Sequence, residues 1–341
     1  MRQFELVSKQ TFEKHEVPEP TAHAGQVKIR VKAVGICGSD IHAYYGEHPF
    51  MSFPIVLGHE VCGVVEEVNG ADNVKKGDTV VLRPQSVCGK CRPCREGRYN
   101  ICETLDVLGC QTTGGCSDYY TAAADLFYKL PDAMDYGEGT MIEPLAVAVH
   151  AVKRAFADGD VRGKKVLVLG AGTIGNLVAQ SAKGLGAEAV MITDISDFKL
   201  KMAEDCGVEY AVNTAADDLA EAIAAKFGPD GVDAVYECTA SPAALNQVLS
   251  TVGKGIPIVV VGVFAGMTNI NLANVQDREY SLIGTLMYVE DDYIESIRLV
   301  EENKINLAAL ITKRFDIEDM KKAYEYIANN KDTAQKVIVD I

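Results

Sequence analysis

The chain has 341 residues, 48% of them hydrophobic and 24% charged, and its 33 basic against 48 acidic side chains give a formal net charge of -15. That length allows two domains with full-sized cores, and the acidic balance argues against a nucleic-acid surface or an anionic-membrane surface. No apolar run is long enough to span a bilayer, no apolar stretch follows Met1-Arg2-Gln3-Phe4-Glu5, and ten cysteines in such a chain read as reduced thiols and metal ligands, so the expected compartment is the cytoplasm.

The N-terminal part reads as strands and turns. Val27–Ile36 is apolar with alternating Lys28, Arg30 and Lys32. Glu60–Val68 and Asp78–Leu82 are β-branched runs, followed by Cys116–Ala122 and Leu126–Leu130. The pattern predicts an irregular, mostly antiparallel β domain. Two polar motifs interrupt it, Gly35-Ile36-Cys37-Gly38-Ser39-Asp40-Ile41-His42 and Leu57-Gly58-His59-Glu60. Cys37, His59 and one carboxylate would make a three-ligand zinc site with an open fourth position, as catalytic zinc requires. Taken singly, Cys37 also reads as a buried small hydrophobe and His59 as a satisfied turn histidine, and spacing does not decide between these readings. Tyr44, Tyr45, His48 and Phe50 follow the first motif and read as core or as the wall of a substrate cleft.

Next come Cys88, Cys91, Cys94 and Cys102, spaced C-x2-C-x2-C-x7-C. Two-residue gaps let neighbouring thiolates converge on one ion, and the longer gap lets the chain loop back to close a tetrahedral sulfur shell. Disulfides and an iron–sulfur cluster are the rival readings. A closed four-thiolate zinc has no open position, so this lobe is expected to be structural.

Beyond Gly139, Ile142, Leu145, Val149 and Val152 recur at helical spacing, and Ile142-Glu143-Pro144 opens that helix. A strand–helix alternation follows: Val166–Leu169, Ile174–Leu185, Val190–Thr193, Phe198–Cys206, Leu219–Phe227, Val232–Tyr236, Pro242–Val252, Pro257–Val263 and Ser281–Gly284. Continuous apolar strands between helices predict a parallel sheet covered on both faces. Gly170-Ala171-Gly172-Thr173-Ile174-Gly175 follows the first of these strands and opens a helix, the placement that lets backbone N–H groups cradle a pyrophosphate. Asp194 ends the second strand, where a carboxylate accepts ribose hydroxyls and repels a 2′-phosphate. No Arg follows within Ile195-Ser196-Asp197-Phe198-Lys199, so the expected cofactor is NAD. Helices near Asp291–Asn303 and Ile317–Asn329 and a strand Lys336–Ile341 have no core of their own. They are expected to pack back on the first domain and make it discontinuous.

Among the other cysteines, Cys62, Cys206 and Cys238 read as buried thiols, and Cys116 as pocket wall or packing. Arg83 and Arg278 are candidates for a substrate carboxylate, with an ordinary ion-pair role as the plainer reading.

Taken together, Gly-Ile-Cys-Gly-Ser-Asp-Ile-His, Gly-His-Glu, the four-cysteine lobe, Glu-Pro and Gly-x-Gly-x-x-Gly stand in the order of the zinc-dependent medium-chain alcohol dehydrogenases, which the chain resembles over nearly its whole length. Ile142-Glu143-Pro144-Leu145 resembles the polyol (sorbitol) branch, and Gly35 to His59 also resembles sugar-acid dehydrogenases such as L-galactonate 5-dehydrogenase. Cys116 departs from the family, where an aromatic is commoner. The resemblance implies an α/β protein with a discontinuous GroES-like catalytic domain over 1–146 and 287–341, carrying the zinc lobe 88–102. It also implies a Rossmann NAD-binding domain over 147–286. It implies two zinc ions per chain, Cys37 and His59 as ligands of the working zinc, and Glu60 and Glu143 as candidates for the remaining ligand. Ser39 would contact the alcohol oxygen, His42 would stand on the proton path and Asp40 would buttress the site. The expected activity is hydride transfer from a secondary alcohol of a polyol or sugar acid to NAD, in a homodimer or homotetramer whose contact is the Ser281–Gly284 edge strand. A threonine dehydrogenase, a zinc-lobe binding module and a noncatalytic NAD sensor are the alternatives. The Glu143-Pro144 pair, the acidic balance and the retained Cys37, Ser39, His59 and Glu143 count against them in turn.

Overall fold

A computed structural model describes residues 1–341. The chain groups into two compact units, Met1–Glu143 with Ile311–Ile341, and Pro144–Leu310. The first unit is therefore discontinuous. Its return begins at Ile311, later than the expected 287, because the helix Glu290–Glu301 is fastened to the second unit. Asp292 on that helix accepts His150 Nδ1 at 2.7 Å and Lys153 Nζ at 2.9 Å, and all three belong to the second unit.

The first unit is built on a seven-stranded sheet ordered Ile311–Asp316, Lys336–Asp340, Gln26–Ile36, Glu60–Asn69, Thr79–Leu82 and Phe127–Lys129, with Tyr119–Ala123 also paired to Gln26–Ile36. Only the Ile311–Asp316 and Lys336–Asp340 pair is parallel. Gln26–Ile36 is central and long because its Val27, Ile29, Val31 and Val34 point into the core while Lys28, Arg30 and Lys32 alternate outward. The hairpin Arg2–Ser8 with Thr11–Glu16 and the strand Ile311–Asp316 escaped the sequence pattern. Their outward positions carry Glu, Lys, Arg and Thr with few apolar partners between them.

The second unit holds a six-stranded parallel sheet ordered Tyr210–Asn213, Ala189–Asp194, Lys165–Leu169, Ala234–Glu237, Pro257–Val260 and Ser281–Gly284. Strand order reverses on either side of Lys165–Leu169, which is the doubly wound arrangement. Val166, Leu167, Val168 and Leu169 are all buried, as strands covered by helices on both faces must be. Ser281–Gly284 is the edge strand of this sheet.

Candidate functional site

All ten cysteines of the chain are free thiols in this structure, the four of the lobe among them. The four sulfurs of Cys88, Cys91, Cys94 and Cys102 lie within 4.8 Å of one another, with Cys88 to Cys94 at 4.0 Å and Cys91 to Cys102 at 3.9 Å. A tetrahedron with metal–sulfur bonds of about 2.3 Å has edges of about 3.8 Å, so the spacing already suits one ion. Backbone N–H groups of Cys91 and Cys88 donate to Cys88 Sγ and Cys102 Sγ, each at 3.3 Å. The N–H groups of Lys90 and Cys91 pull the Cys88 thiol down to about 6, and that of Cys88 lowers Cys102. Lost hydration and the neighbouring sulfurs push Cys94 up to about 12. Four thiolates at this spacing repel each other, and a thiophilic dication between them resolves the conflict. The donor set fits zinc.

The second cluster is assembled at the ends of two neighbouring strands. Cys37 leaves the end of Gln26–Ile36 and caps the helix Gly38–Tyr44. The Cys37 N–H donates to Asp40 Oδ2 at 2.9 Å. His59 immediately precedes Glu60–Asn69, and the ligand atoms of Cys37, His59 and Glu60 fall within 4.8 Å of one another. Asp40 Oδ1 and Cys110 Sγ both stand 3.5 Å from His59 Nδ1, which leaves the other ring nitrogen to face a metal. Burial opposes a positive charge on His59, yet Asp40 and Cys110 outweigh it and hold its pKa well above the ordinary value. A thiol, an imidazole and a carboxylate this close together are a donor set that fits zinc.

Glu60 has a partner that sequence reading missed. Its strand pairs with Gln26–Ile36 so that Glu60 stands opposite Gly35, and on the other side Gly35 stands opposite Ile338. Lys336, two residues from Ile338, projects from the same face. Its Nζ donates to Glu60 Oε1 at 2.6 Å, to Oε2 at 2.7 Å and to the Ile36 carbonyl at 3.3 Å. The two side chains meet over Gly35 because nothing stands between them: a Cβ there would lie 1.9 Å from Glu60 Oε2. Burial works against the Lys336 charge, but Glu60, Cys37 and Glu143 outweigh it and raise its pKa. Glu143, the second residue of the helix Ile142–Arg154, is buried and lies outside the 4.8 Å cluster.

The other expected positions divide clearly. Ser39 is half-buried on the helix that Cys37 caps. His42 on the same helix is 60% exposed, with Nδ1 3.7 Å from Glu47. Tyr44 is core, stacked among Phe12 and Tyr324, whereas Phe50 is exposed. Cys116 packs into the apolar core, where burial drives its pKa up. Cys62 is buried outright, and Cys206 and Cys238 are half-buried. The Arg83 guanidinium sits between the rings of Tyr99 and Tyr128, at 5.7 and 5.8 Å. Arg278 donates to the Val252 carbonyl at 3.1 Å, at the end of a helix. Both arginines have structural employment.

In the second unit the glycine loop takes the expected form. A Cβ on Gly175 would lie 1.8 Å from the Gly170 carbonyl oxygen, so the helix Thr173–Gly184 can approach the strand end only with glycine there. Gly172 caps that helix without a side chain, which leaves the space before its N-terminal N–H groups to a phosphate. Asp194 Oδ2 accepts the Ala171 N–H at 2.8 Å, and Oδ1 accepts those of Ile195 and Ser196 at 2.8 and 2.9 Å. The carboxylate is thereby aimed and held beside the loop, with lone pairs left for a ribose. Ile195 next to it is 73% exposed and apolar, and no Arg follows within residues 195–199 to pair with a 2′-phosphate.

Residues 23–132 match the alcohol dehydrogenase GroES-like domain, and residues 173–302 match the zinc-binding dehydrogenase domain. Sorbitol dehydrogenase 1 of Saccharomyces cerevisiae is 37% identical over 325 residues, covering 92% of this chain and 90% of the yeast protein. L-Galactonate-5-dehydrogenase of Escherichia coli is 34% identical over 337 residues, covering 98% and 96%. Among solved structures, a short chain alcohol dehydrogenase of Escherichia coli CFT073 in complex with NADH superposes with a TM-score of 0.90 at 28% identity, covering 100% of this chain and 99% of that one.

Proposed function

The chain belongs to the zinc-binding alcohol dehydrogenase family and is a zinc- and NAD(P)-dependent dehydrogenase; on that premise we propose that it oxidises a secondary hydroxyl of a polyol or sugar acid to the ketone, with NAD as acceptor. The observation that carries this reading is the Cys37, His59 and Glu60 cluster with its carboxylate already balanced by Lys336.

Cys37, His59 and Glu60 would hold the working zinc, and Cys88, Cys91, Cys94 and Cys102 would hold a second, structural one. Bound zinc would supply the Lewis acidity that lowers the pKa of the substrate hydroxyl, and bound NAD would supply the hydride acceptor. Ser39 takes the hydroxyl proton, and His42, exposed beside Glu47, releases it to water. Asp40 holds His59 and the Cys37 backbone in place. Glu143, buried near Lys336, orients the substrate hydroxyl or a water. Gly170, Gly172, Thr173, Ile174 and Gly175 take the pyrophosphate, and Asp194 takes the adenosine ribose. A carboxylate among the zinc ligands makes the site more polar than a second thiolate would, which suits a substrate with several hydroxyls.

Ser281–Gly284, with Leu282 and Leu286 exposed, supports pairing of two copies into a homodimer or homotetramer. Ten free thiols support a reducing compartment such as the cytoplasm. No helix is long and apolar enough to cross a membrane.

The test is a panel of polyols and aldonic acids assayed for NADH formation with metal content measured in parallel. NADH formation with a member of either class, in protein holding two zinc ions per chain, is the expected result. Turnover of neither class, or a single zinc, would contradict it.

A further inference from the structure

Cys110 lies on a turn beyond the four-cysteine lobe, and it is buried. The turn is held by its own backbone. The N–H groups of Cys110 and Gln111 donate to the Val107 carbonyl at 2.9 and 3.0 Å, and that of Gly109 donates to the Thr112 carbonyl at 2.9 Å. The chain then runs against the segment that leads into His59. There the N–H groups of Gly114, Gly115 and Cys116 donate to the carbonyls of Val56, Gly58 and Leu57 at 2.8, 2.9 and 3.0 Å. Glycine makes this approach possible. Gly109 has a φ of +84°, and a Cβ on it would lie 2.4 Å from the Gly58 carbonyl oxygen; one on Gly114 would lie 2.6 Å from the same oxygen. The turn is thereby pressed against His59, and it brings the Cys110 sulfur to hydrogen-bonding position 3.5 Å from Nδ1.

Asp40 Oδ1 stands at the same distance from Nδ1, yet that oxygen makes no hydrogen bond. Of the two groups that face this nitrogen, the sulfur is the one in hydrogen-bonding geometry. A neutral imidazole carries a single N–H, and a metal takes the lone pair of the other nitrogen. With Nε2 turned to an ion, the proton sits on Nδ1 and needs an acceptor there. The negative charge of Asp40 favours a proton on that side of the ring, and the sulfur gives the N–H a direction. Other uses of this sulfur fit less well. Cys110 stands outside the Cys37, His59 and Glu60 trio whose ligand atoms fall within 4.8 Å of one another, so it is not placed as a further ligand. The apolar core cluster of this unit takes in Cys116 but not Cys110, so packing alone does not account for it either.

We infer that Cys110 is a positioning residue of the working metal site, its sulfur accepting the His59 Nδ1–H and so holding Nε2 toward the ion. The inference rests on the reading of Cys37, His59 and Glu60 as the working zinc site and extends it to a residue outside every motif of the chain.

Three variants test it. Cys110→Ala and Cys110→Val remove the acceptor, the second while filling the space, and Cys110→Ser puts a hydroxyl oxygen in its place. Zinc is withdrawn from each protein with graded EDTA, and the metal that remains bound is counted. Cys37→Ala, which lacks the working zinc, marks the step that belongs to the lobe. The Kd of the working zinc is expected to rise about tenfold in Cys110→Ala and Cys110→Val and to stay within about threefold in Cys110→Ser, with the lobe step unmoved in all three. Full affinity in Cys110→Val with a loss in Cys110→Ser would assign Cys110 to packing. Full affinity in all three would make the contact idle, and a loss of the working zinc as complete as in Cys37→Ala would make Cys110 a ligand; each of these overturns the inference. A single zinc in the unaltered protein would overturn the working-site reading, and this inference with it.

Discussion

The four-cysteine lobe and the Cys37 cluster are both suited to zinc, yet they are built by opposite means. In the lobe, four ligands occupy residues 88 to 102 and converge through one short helix, Arg92–Arg95, and its flanking turns. Its hydrogen bonds run between residues no more than fourteen apart. The Cys37 cluster depends on the register of three strands, with the Lys336 to Glu60 pair spanning 276 residues of sequence. The lobe carries its own geometry, whereas the cluster borrows its geometry from the sheet. Sites of the first kind tolerate change elsewhere in the fold. Sites of the second kind are exposed to any change that shifts a strand.

The sharpest way to break the comparison is to remove one ligand from each. Cys37→Ala should lose one zinc of two by metal analysis and lower turnover at least about a thousandfold, because the hydroxyl loses its Lewis acid, while far-UV circular dichroism stays native. Cys88→Ser should also lose one zinc, but it should keep measurable turnover and show its main effect as a lower Tm. If Cys88→Ser abolishes turnover as fully as Cys37→Ala does, the lobe is not merely structural.

The second prediction concerns the borrowed geometry. In zinc-free protein, Lys336→Met leaves the buried Glu60 carboxylate without a cation, which should cost about 3–5 kcal/mol by urea unfolding. Adding Glu60→Gln should restore most of that loss, since the buried charge is then gone. A loss that the double variant does not recover would mean that Lys336 acts through packing alone.

The smallest effect belongs to the second unit. Burial would raise the Asp292 pKa, but His150 and Lys153 donate to the carboxylate and hold it below the ordinary range. A depressed carboxylate stabilises the fold above its unfolded pKa of about 3.9, and the stabilisation fades as pH falls through the lower folded value. Asp292→Asn should therefore cost about 1–3 kcal/mol at pH 7, and the gap from the unaltered protein should narrow below about pH 4. A gap that stays constant from pH 7 to pH 3 would remove the ionic explanation.

This contrast also explains what was readable in the sequence. The lobe, the glycine loop and Asp194 were legible because their chemistry lies in short spacings next to clear strand and helix patterns. The parallel strands were legible because burial on both faces leaves unbroken apolar runs. Cys37, His59 and a carboxylate were candidates by residue type alone, and only the family resemblance singled them out, since nothing in their spacing brings them together. Lys336 was invisible, being one lysine at the start of an apolar strand, and only the pairing through Gly35 shows whom it meets. The boundary expected at 287 moved to 311 because the helix Glu290–Glu301 takes its place from Asp292, whose partners lie in another helix.

The ion pair over Gly35 also orders events in time. During synthesis the lobe has all its ligands once Cys102 has emerged, whereas the Cys37 cluster waits for Lys336, more than two hundred residues later. At about 5–20 residues per second that interval is on the order of 10 to 50 seconds. A nascent or truncated chain thus has the four sulfurs of its lobe while its Glu60 still lacks a countercharge. A Glu60 balanced by Lys336 then marks a chain whose last strand has been made and docked.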